Sequence, residues 1–397
     1  MSGAKGVQRA GWAWNSDLSY AAIGEQQVSD TVYRLPRVER FGDRSVDGQR
    51  YTSEDHLAAE IERVFKRAWI VVAQSSAVAK PGHVAVLKEE GVDVIVLRDD
   101  KGQLQAFQNR CMHRGSRLVH KSGPYKRFEC DYHGWRYGLD GALESAPDAD
   151  GFGGVDVCRI HLETIRVTEL AGQIWVCLDR TQPELEQQLS GIADELSPYQ
   201  LEDMEPIQER VFSVPVNWKS MLENAFDYYH VGKVHKRTVH AHVTESPEIA
   251  LYGDHIRQNI HIAPYRWREL IDRRCSRGGP YTARQHSRLF KYTLFPNTMI
   301  NVLPYHMSVM RVWPDGVGGT RLHYSFCQRR GARGVEWLRA RGTWLASRII
   351  LAEDVRMLAR CQSQMDASVV PQHLLHDFEA ASAHFHDVLG KWMTQIK

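Results

Sequence analysis

Two short segments decide the reading of this chain: Cys111-Met112-His113-Arg114-Gly115 and, after sixteen residues beyond His113, Cys130-Asp131-Tyr132-His133-Gly134-Trp135. Each offers one thiolate and one imidazole from a short loop that ends on a glycine. Two such loops brought face to face can place both cysteines on one metal ion and both histidines on a second. The plain alternative is a structural zinc site, because two cysteines and two histidines also satisfy tetrahedral Zn2+. The spacing speaks against it: a zinc finger pairs Cys with Cys and then His with His, whereas here each loop supplies one of each.

A mixed set of two thiolates and two imidazoles is the ligand set of a Rieske-type [2Fe-2S] cluster, with Cys111, His113, Cys130 and His133 as its candidate ligands. Neutral imidazoles replace two anionic thiolates, so the reduced cluster carries less negative charge and its potential rises. Gly115, Gly134 and the hydroxyl of Tyr132 suit loops that approach a cluster closely and hydrogen-bond its sulfurs. The flanking sequence predicts the scaffold. Val84 to Leu87, Val92 to Leu97 and Leu104 to Phe107 are β-rich runs separated by Glu90-Gly91 and Asp100-Lys101-Gly102, and Asp140-Gly141 marks a further hairpin. Residues from about 70 to 180 therefore read as an antiparallel β domain. Before it, Ser53 is placed to cap a helix that carries Glu54 and Asp55 in its first turn and Leu57, Ile61, Val64 and Phe65 on one face.

A second constellation begins at Asn217-Trp218-Lys219 and continues through Glu223-Asn224-Ala225-Phe226-Asp227-Tyr228-Tyr229-His230 to His235. On a helix Asp227 and His230 share a face, so the carboxylate can orient the imidazole. Gly232 is read as the stop that lets the chain turn and bring His235 back toward His230. The bland alternative is a His-rich stretch, which also holds His240 and His242, with no common ligand.

A non-haem Fe(II) site of two histidines and one carboxylate needs one more acid. The long helix expected from about Gly334 to Gln364 offers Glu353 and Asp354, which project about 100° apart. Asp354 shares its face with Ile350, Met357, Leu358 and Cys361, where an unpaired carboxylate would be costly unless a cation relieved it. Glu353 lies near Arg356 and Arg360, where a surface ion pair accounts for it. Asp354 is therefore the expected third ligand, beside His230 and His235.

Bulk properties narrow the class. With 397 residues, 43% hydrophobic and 25% charged, the chain is long enough for two cored domains and ordinary in composition. Fifty basic against forty-eight acidic residues, with no long single-sign block, give no electrostatic reason to expect nucleic acid or an anionic membrane as partner. Residues Met1 to Tyr20 lack the apolar run of a signal peptide, and no window of about eighteen apolar residues is present, so a soluble cytoplasmic protein is expected. Seven scattered cysteines fit a reducing compartment. No Gly-rich dinucleotide fingerprint is present, so the chain is not expected to bind a nicotinamide itself.

The two patterns together resemble the catalytic (alpha) subunit of Rieske non-haem iron oxygenases, also called aromatic-ring-hydroxylating oxygenases, over nearly the whole chain. The family pattern Cys-x-His, about sixteen residues, Cys-x-x-His is met by Cys111, His113, Cys130 and His133, and Glu-Asn-x-x-Asp-x-x-His-x-x-x-x-His is met from Glu223 to His235. The resemblance implies an α+β fold: an antiparallel β Rieske domain over 68–180, and a helix-grip (START-like) catalytic domain with an antiparallel sheet and C-terminal helices over 181–397. The N-terminal segment 1–67 would pack on the latter. It further implies a homotrimer, or an assembly with beta subunits, in which electrons cross between neighbours through an acidic bridge at Asp227 that touches His133 or His113 of the next subunit. Asp227 and Asn224 are the candidate catalytic residues. A flavin-containing NAD(P)H reductase, with or without a ferredoxin, would supply electrons for hydroxylation, dihydroxylation or oxidative dealkylation of a small organic substrate, aromatic or heterocyclic, by O2. The C-terminal pattern of betaine- and carnitine-type relatives is matched by Glu353, Asp354 and Gln362 but broken by Ala359. Asn224, Phe226, Met299, Asn301 and Tyr305 are candidate pocket residues. Two other classes compete: a Rieske electron-transfer protein without oxygenase activity, and a structural zinc protein.

Overall fold

The computed structural model describes residues 45–154, 156, 159–240, 247–261, 288–303, 305–368, 371–376 and 379–394. His242, Cys158, Cys275 and the part of the N-terminal segment before residue 45 lie outside the described residues.

A short strand β1 (Ser45–Asp47) leads into helix α1 (Glu54–Glu60). Ser53 caps α1 by accepting a hydrogen bond from the backbone N–H of His56 at 3.2 Å, as its side chain and position dictate. Leu57, Ile61, Val64 and Phe65 are all buried. Ten strands follow: β2 (Ile70–Gln74), β3 (His83–Glu89), β4 (Val92–Arg98), β5 (Leu104–Gln108), β6 (Gly123–Pro124), β7 (Phe128–Glu129), β8 (Arg136–Tyr137), β9 (Leu143–Ser145), β10 (Arg166–Leu170) and β11 (Gln173–Cys177). They form three antiparallel sheets, in the orders β5-β4-β3-β6, β7-β8-β9 and β10-β11-β2. The first two enclose a core of Ile95, Leu97, Phe107, Val119, Trp135 and Tyr137, against which Cys111 and Cys130 are packed.

Two short helices, α2 (Leu185–Gln188) and α3 (Ser190–Leu196), lead to the long strand β12 (Met204–Val214) and helix α4 (Trp218–Phe226). Asn217 caps α4 by accepting from the N–H of Lys219 at 2.9 Å, and its own amide donates to the carbonyls of Tyr51 and Val317. After the short helix α5 (Val231–Val234) come β13 (Glu248–Tyr252), β14 (His255–His261), β15 (Arg288–Leu294), β16 (Thr298–Leu303), β17 (His306–Pro314) and β18 (Thr320–Arg329). With β12 they build one seven-stranded antiparallel sheet, ordered β12-β18-β17-β16-β15-β14-β13. The long helix α6 (Val335–Ala367) lies against it, Ala340, Trp344 and Leu351 meeting Tyr324, Phe326 and Met310. Strand β19 (Gln372–Leu374) pairs with β1, and α7 (Ala380–Thr394) closes the chain.

One hydrophobic cluster runs from Leu57 through Val72, Val94 and Ile174 to Trp218, Phe295, Phe385 and Trp392, so the two halves share a core. A buried ion pair is set into it: the Lys219 ammonium and the Trp218 indole N–H donate to Glu60 Oε2 at 3.1 and 2.8 Å. Burial alone would raise the Glu60 carboxyl, but Lys219, His56 and Trp218 together hold it below its ordinary value. This arrangement locks α4, and with it the segment that follows, to α1. Among the described residues no helix is long and apolar enough to cross a membrane.

Candidate metal centres

The loops at Cys111 and Cys130 are built alike. In each, the cysteine N–H donates to the carbonyl five residues on (Ser116 at 2.7 Å, Trp135 at 2.8 Å), and the glycine four residues on donates back to the cysteine carbonyl at 2.9 Å. Gly115 and Gly134 carry φ of +74° and +70°, a left-handed conformation that a side chain would strain, and it is what curls each loop around its cysteine. Both cysteines are buried, whereas His113 and His133 sit toward the surface. Their Nδ1 atoms face each other at 3.1 Å. Two nitrogens each about 2.1 Å from one ion lie roughly 3.3 Å apart, so this spacing fits a shared metal. Trp135 stacks flat on His113, with ring centroids 5.0 Å apart, and holds it in place.

Burial pushes the Cys111 thiol up and nearby Cys130 adds to this, while Tyr137 and a backbone N–H at His113 pull it down. The Tyr137 hydroxyl lies 3.2 Å from Cys111 Sγ and 3.1 Å from the N–H of Met112. Tyr132, expected to serve the sulfurs, is 59% exposed and points outward. Tyr137 takes that place because it lies on β8, whose alternation turns it into the core beneath the loops, whereas Tyr132 stands on the loop tip.

His230, His235 and Asp354 come together, each offering one ligand atom within 4.8 Å of the others. Asp354 Oδ1 lies 2.7 Å from His235 Nε2 and 3.5 Å from His230 Nε2. The opposite nitrogen of each ring is held by its own carboxylate: His230 Nδ1 by Asp227 Oδ2 at 2.7 Å, and His235 Nδ1 by Glu353 Oε2 at 2.8 Å. Thr238 Oγ1 donates to Glu353 as well, at 2.7 Å. Asn224 hydrogen-bonds Asp354. Burial disfavours a charged imidazole at His230, but the bonds to Asp227 and Asp354 outweigh it and lift the group to about 9. Burial likewise raises Asp354, yet the two histidines and Asn224 carry it down to about 2. Two imidazoles, each backed at Nδ1 by a carboxylate and turning Nε2 to one oxygen of Asp354, are a donor set suited to a divalent cation, which would take the place of the Nε2 protons.

The route to this geometry differs from the expectation in four respects. Asp227 and His230 do not share a helix: α4 ends at Phe226, Asp227 is extended (φ −76°, ψ 132°), and the pair closes across a break. Gly232 is not the stop. It lies inside α5, and the chain turns at His235 itself (φ −101°, ψ 31°). Glu353 makes no surface pair with Arg356 or Arg360, because adjacent helical positions straddle His235, one acid reaching each ring nitrogen. The face carrying Asp354 is also apolar only in part: Ile350 lines the cavity beside it and Leu358 packs on the core. Met357 and Cys361 are exposed, and Leu351, Val355 and Leu358 do the packing.

The triad opens onto a cavity of about 460 Å3 between α4, α6 and the sheet. Asn224, Met299 and Asn301 line it. Phe226 and Tyr305 do not: Phe226 is packed in the central core, and Tyr305 is buried under the Arg339 guanidinium, 3.2 Å from its hydroxyl. Lys291, on β15, lines the cavity and was not legible in the pattern of ligands.

The profile of the Rieske [2Fe-2S] domain matches residues 68–165, and that of the ring hydroxylating alpha subunit (catalytic domain) matches residues 201–395. The chain is 33% identical over 188 residues to the carnitine monooxygenase oxygenase subunit of Acinetobacter baumannii, 47% of this chain and 51% of that protein. It is 34% identical over 192 residues to the large oxygenase component of the naphthalene 1,2-dioxygenase system of Pseudomonas aeruginosa, 46% of this chain and 42% of that one. The matches thus span about half the length of these curated relatives. In fold, it superposes on a quaternary ammonium Rieske monooxygenase crystallised with L-carnitine (TM-score 0.75, 22% identity, 88% of this chain and 96% of that chain). It superposes also on naphthalene 1,2-dioxygenase with indole in its active site (TM-score 0.74, 20% identity, 89% and 92%). With an antiparallel β domain of the [2Fe-2S] type joined to a catalytic domain of the type that holds a mononuclear iron, the chain belongs to the Rieske non-haem iron oxygenase alpha-subunit family.

Proposed function

We propose that this chain is the oxygenase component of an enzyme that uses O2 and electrons from NAD(P)H to hydroxylate, dihydroxylate or oxidatively dealkylate a small organic molecule. Residues 68–180 would store the electron on a cluster held by Cys111, His113, Cys130 and His133, and residues 181–397 would carry out catalysis at His230, His235 and Asp354. The observation that carries the reading is the second site. Three ligand-grade atoms converge at the wall of a 460 Å3 cavity, and each imidazole is fixed from behind by its own carboxylate.

Iron held there by His230, His235 and Asp354 would supply activation of O2. The protein's own contribution is positional. Asp227 and Glu353 each accept the Nδ1 proton of one histidine, which fixes the tautomer and presents Nε2 inward. Asn224 steadies Asp354. Met299, Leu303, Met310, Phe326 and Ile350 give the cavity an apolar wall that excludes bulk water. Electrons would come from a flavin reductase, with or without a ferredoxin, and Asp227 would bridge to the cluster of a neighbouring copy in a homotrimer. Carnitine, glycine betaine and naphthalene, named for the relatives, mark the size of substrate this cavity suits. None of the five described cysteines is paired, in keeping with a cytoplasmic site of action.

The test combines metal analysis, the visible spectrum, EPR after dithionite and O2 consumption with a surrogate reductase. About three irons per chain and a [2Fe-2S] spectrum are expected. Asp354→Ala should keep the cluster spectrum while losing the mononuclear iron and all product. An iron-free native protein, or loss of the cluster in Asp354→Ala, would overturn the reading.

A further inference from the structure

The cavity wall carries one polar row in an apolar sheet. Lys291 on β15 stands opposite Asn301 on β16, and Asn301 stands opposite Ser308 on β17. Side chains directly opposite on antiparallel strands share a face with their Cβ atoms about 5 Å apart, so the three form a strip across the cavity floor. Around it on the same face lie Leu289, Met299, Leu303 and Met310. Asn301 Nδ2 donates to Ser308 Oγ at 3.0 Å, and Asn301 Oδ1 is buried with no hydrogen-bond partner among the described residues. Such an orphan acceptor in a cavity wall costs free energy until a donor arrives.

Charge in the cavity is unevenly committed. Asp227 and Asp354 are held by the two histidines, and Arg339 is held on the Tyr305 hydroxyl. Lys291 has no carboxylate within ion-pair distance among the described residues. Its ammonium donates to the carbonyl of Ala225 and lies 5.8 Å from the Tyr228 ring. An ammonium has three donors, and one is used. A half-buried cation with spare donors, beside an acceptor without a donor, is a two-point site for an anionic group with a neighbouring hydroxyl or N–H.

We propose that the substrate is an organic carboxylate with an apolar body, anchored through its carboxylate to Lys291, with a hydroxyl or N–H of the same molecule donating to Asn301 Oδ1. The remainder lies along Met299 and Met310, toward the triad. A trimethylammonium group suits this floor poorly, because Lys291 repels it and the two cavity carboxylates are already engaged. This inference rests on the cavity's being the substrate site of the function proposed above. The other role open to Lys291 is structural: it and Gln258, which donates to Phe226 O at 2.8 Å, hold the last carbonyls of α4.

The experiment is calorimetric titration of the iron-loaded protein with matched pairs: benzoate and benzamide, 3-phenylpropanoate and its amide, 2-naphthoate and its amide, 2-hydroxybenzoate and its amide, with benzyltrimethylammonium as the cation. At least one acid should bind about tenfold or more tightly than its amide, a difference of about 1.4 kcal/mol, and more tightly than the cation. Lys291→Gln, which removes the charge but can still donate to Ala225, should erase the acid preference and leave amide binding and iron content unchanged. No acid binding more tightly than its amide, or a Lys291→Gln variant that weakens acid and amide by the same factor, would overturn the proposal. Iron is measured on the same samples. A low iron count with the acid preference intact would sink the oxygenase reading alone, and full iron without the preference would sink this inference alone.

Discussion

Glu353 Oε2 lies 2.8 Å from His235 Nδ1, across 118 residues of sequence, and fixes which nitrogen of that ring faces the cavity. The adjacent Asp354 reaches the other nitrogen. One turn of α6 thus supplies a candidate ligand and the group that orients a second. Loss of an orienting carboxylate behind a metal-bound histidine costs about 10- to 100-fold in metal affinity. Glu353→Gln should therefore weaken iron retention by that factor in chelator competition and leave the cluster spectrum unchanged. Wild-type retention in the variant would reduce Glu353 to a surface acid.

Tyr137 offers a hydroxyl to Cys111 Sγ from inside the core. A hydrogen bond to a cluster ligand stabilises the more negative, reduced state. If it is worth about 1 kcal/mol more to that state, a one-electron potential shifts by about 40 mV. Tyr137→Phe should lower the cluster potential by that order in a spectroelectrochemical titration. An unchanged potential would show that the hydroxyl serves only the N–H of Met112, its other partner.

The Glu60–Lys219 pair is fully buried, and breaking a buried pair from one side leaves an uncompensated charge, at about 3–5 kcal/mol. Glu60→Gln should depress Tm sharply. The pH dependence has a definite sign. The folded-state value of Glu60 is depressed, so its contribution is present above the ordinary carboxylate range and is lost as pH falls through the folded value. Acid unfolding of the native protein should therefore steepen below about pH 4, and that component should vanish from the thermal scans of Glu60→Gln.

Burial pushes the Lys291 ammonium down to about 8, with Asp354 and Asp227 pulling the other way. The other titratable groups lining the same cavity are Asp227, Tyr228, His230 and His235 from the segment after α4, Asp354 and Arg339 from α6, His306 from β17 and Tyr324 from β18. The group is cationic below about 8, so affinity for a carboxylate should be full at neutral pH and fall as pH rises through that value, while affinity for the matching amide stays level. Parallel pH profiles for acid and amide would remove Lys291 from recognition.

The cluster loops were legible because their chemistry is local. Two cysteines, two histidines and two glycines within 24 residues carry ligand type, spacing and loop shape in the chain itself. Ser53, a short polar side chain just ahead of a periodic apolar run, announced its cap in the same way. Tyr132 misled because a hydroxyl near a ligand in sequence says nothing about the direction in which the loop tip points.

At the second site, residue identities were readable and their arrangement was not. The histidines and both acids stand in recognisable order, but Asp227 meets His230 beyond the end of α4 rather than along one helix, and Glu353 belongs to His235 only because α6 crosses α5 at that turn. Lys291 and Asn301 are unremarkable in sequence and become neighbours through strand register alone. What the amino-acid order determined by itself was which atoms can bind metal and which short turns present them, since those depend on bonds and dihedrals a few residues long. That Glu353 backs His235, and which face of the sheet floors the cavity, was decided by the tertiary structure, because helix packing brings together groups 118 residues apart and strand register decides which side chains share a face.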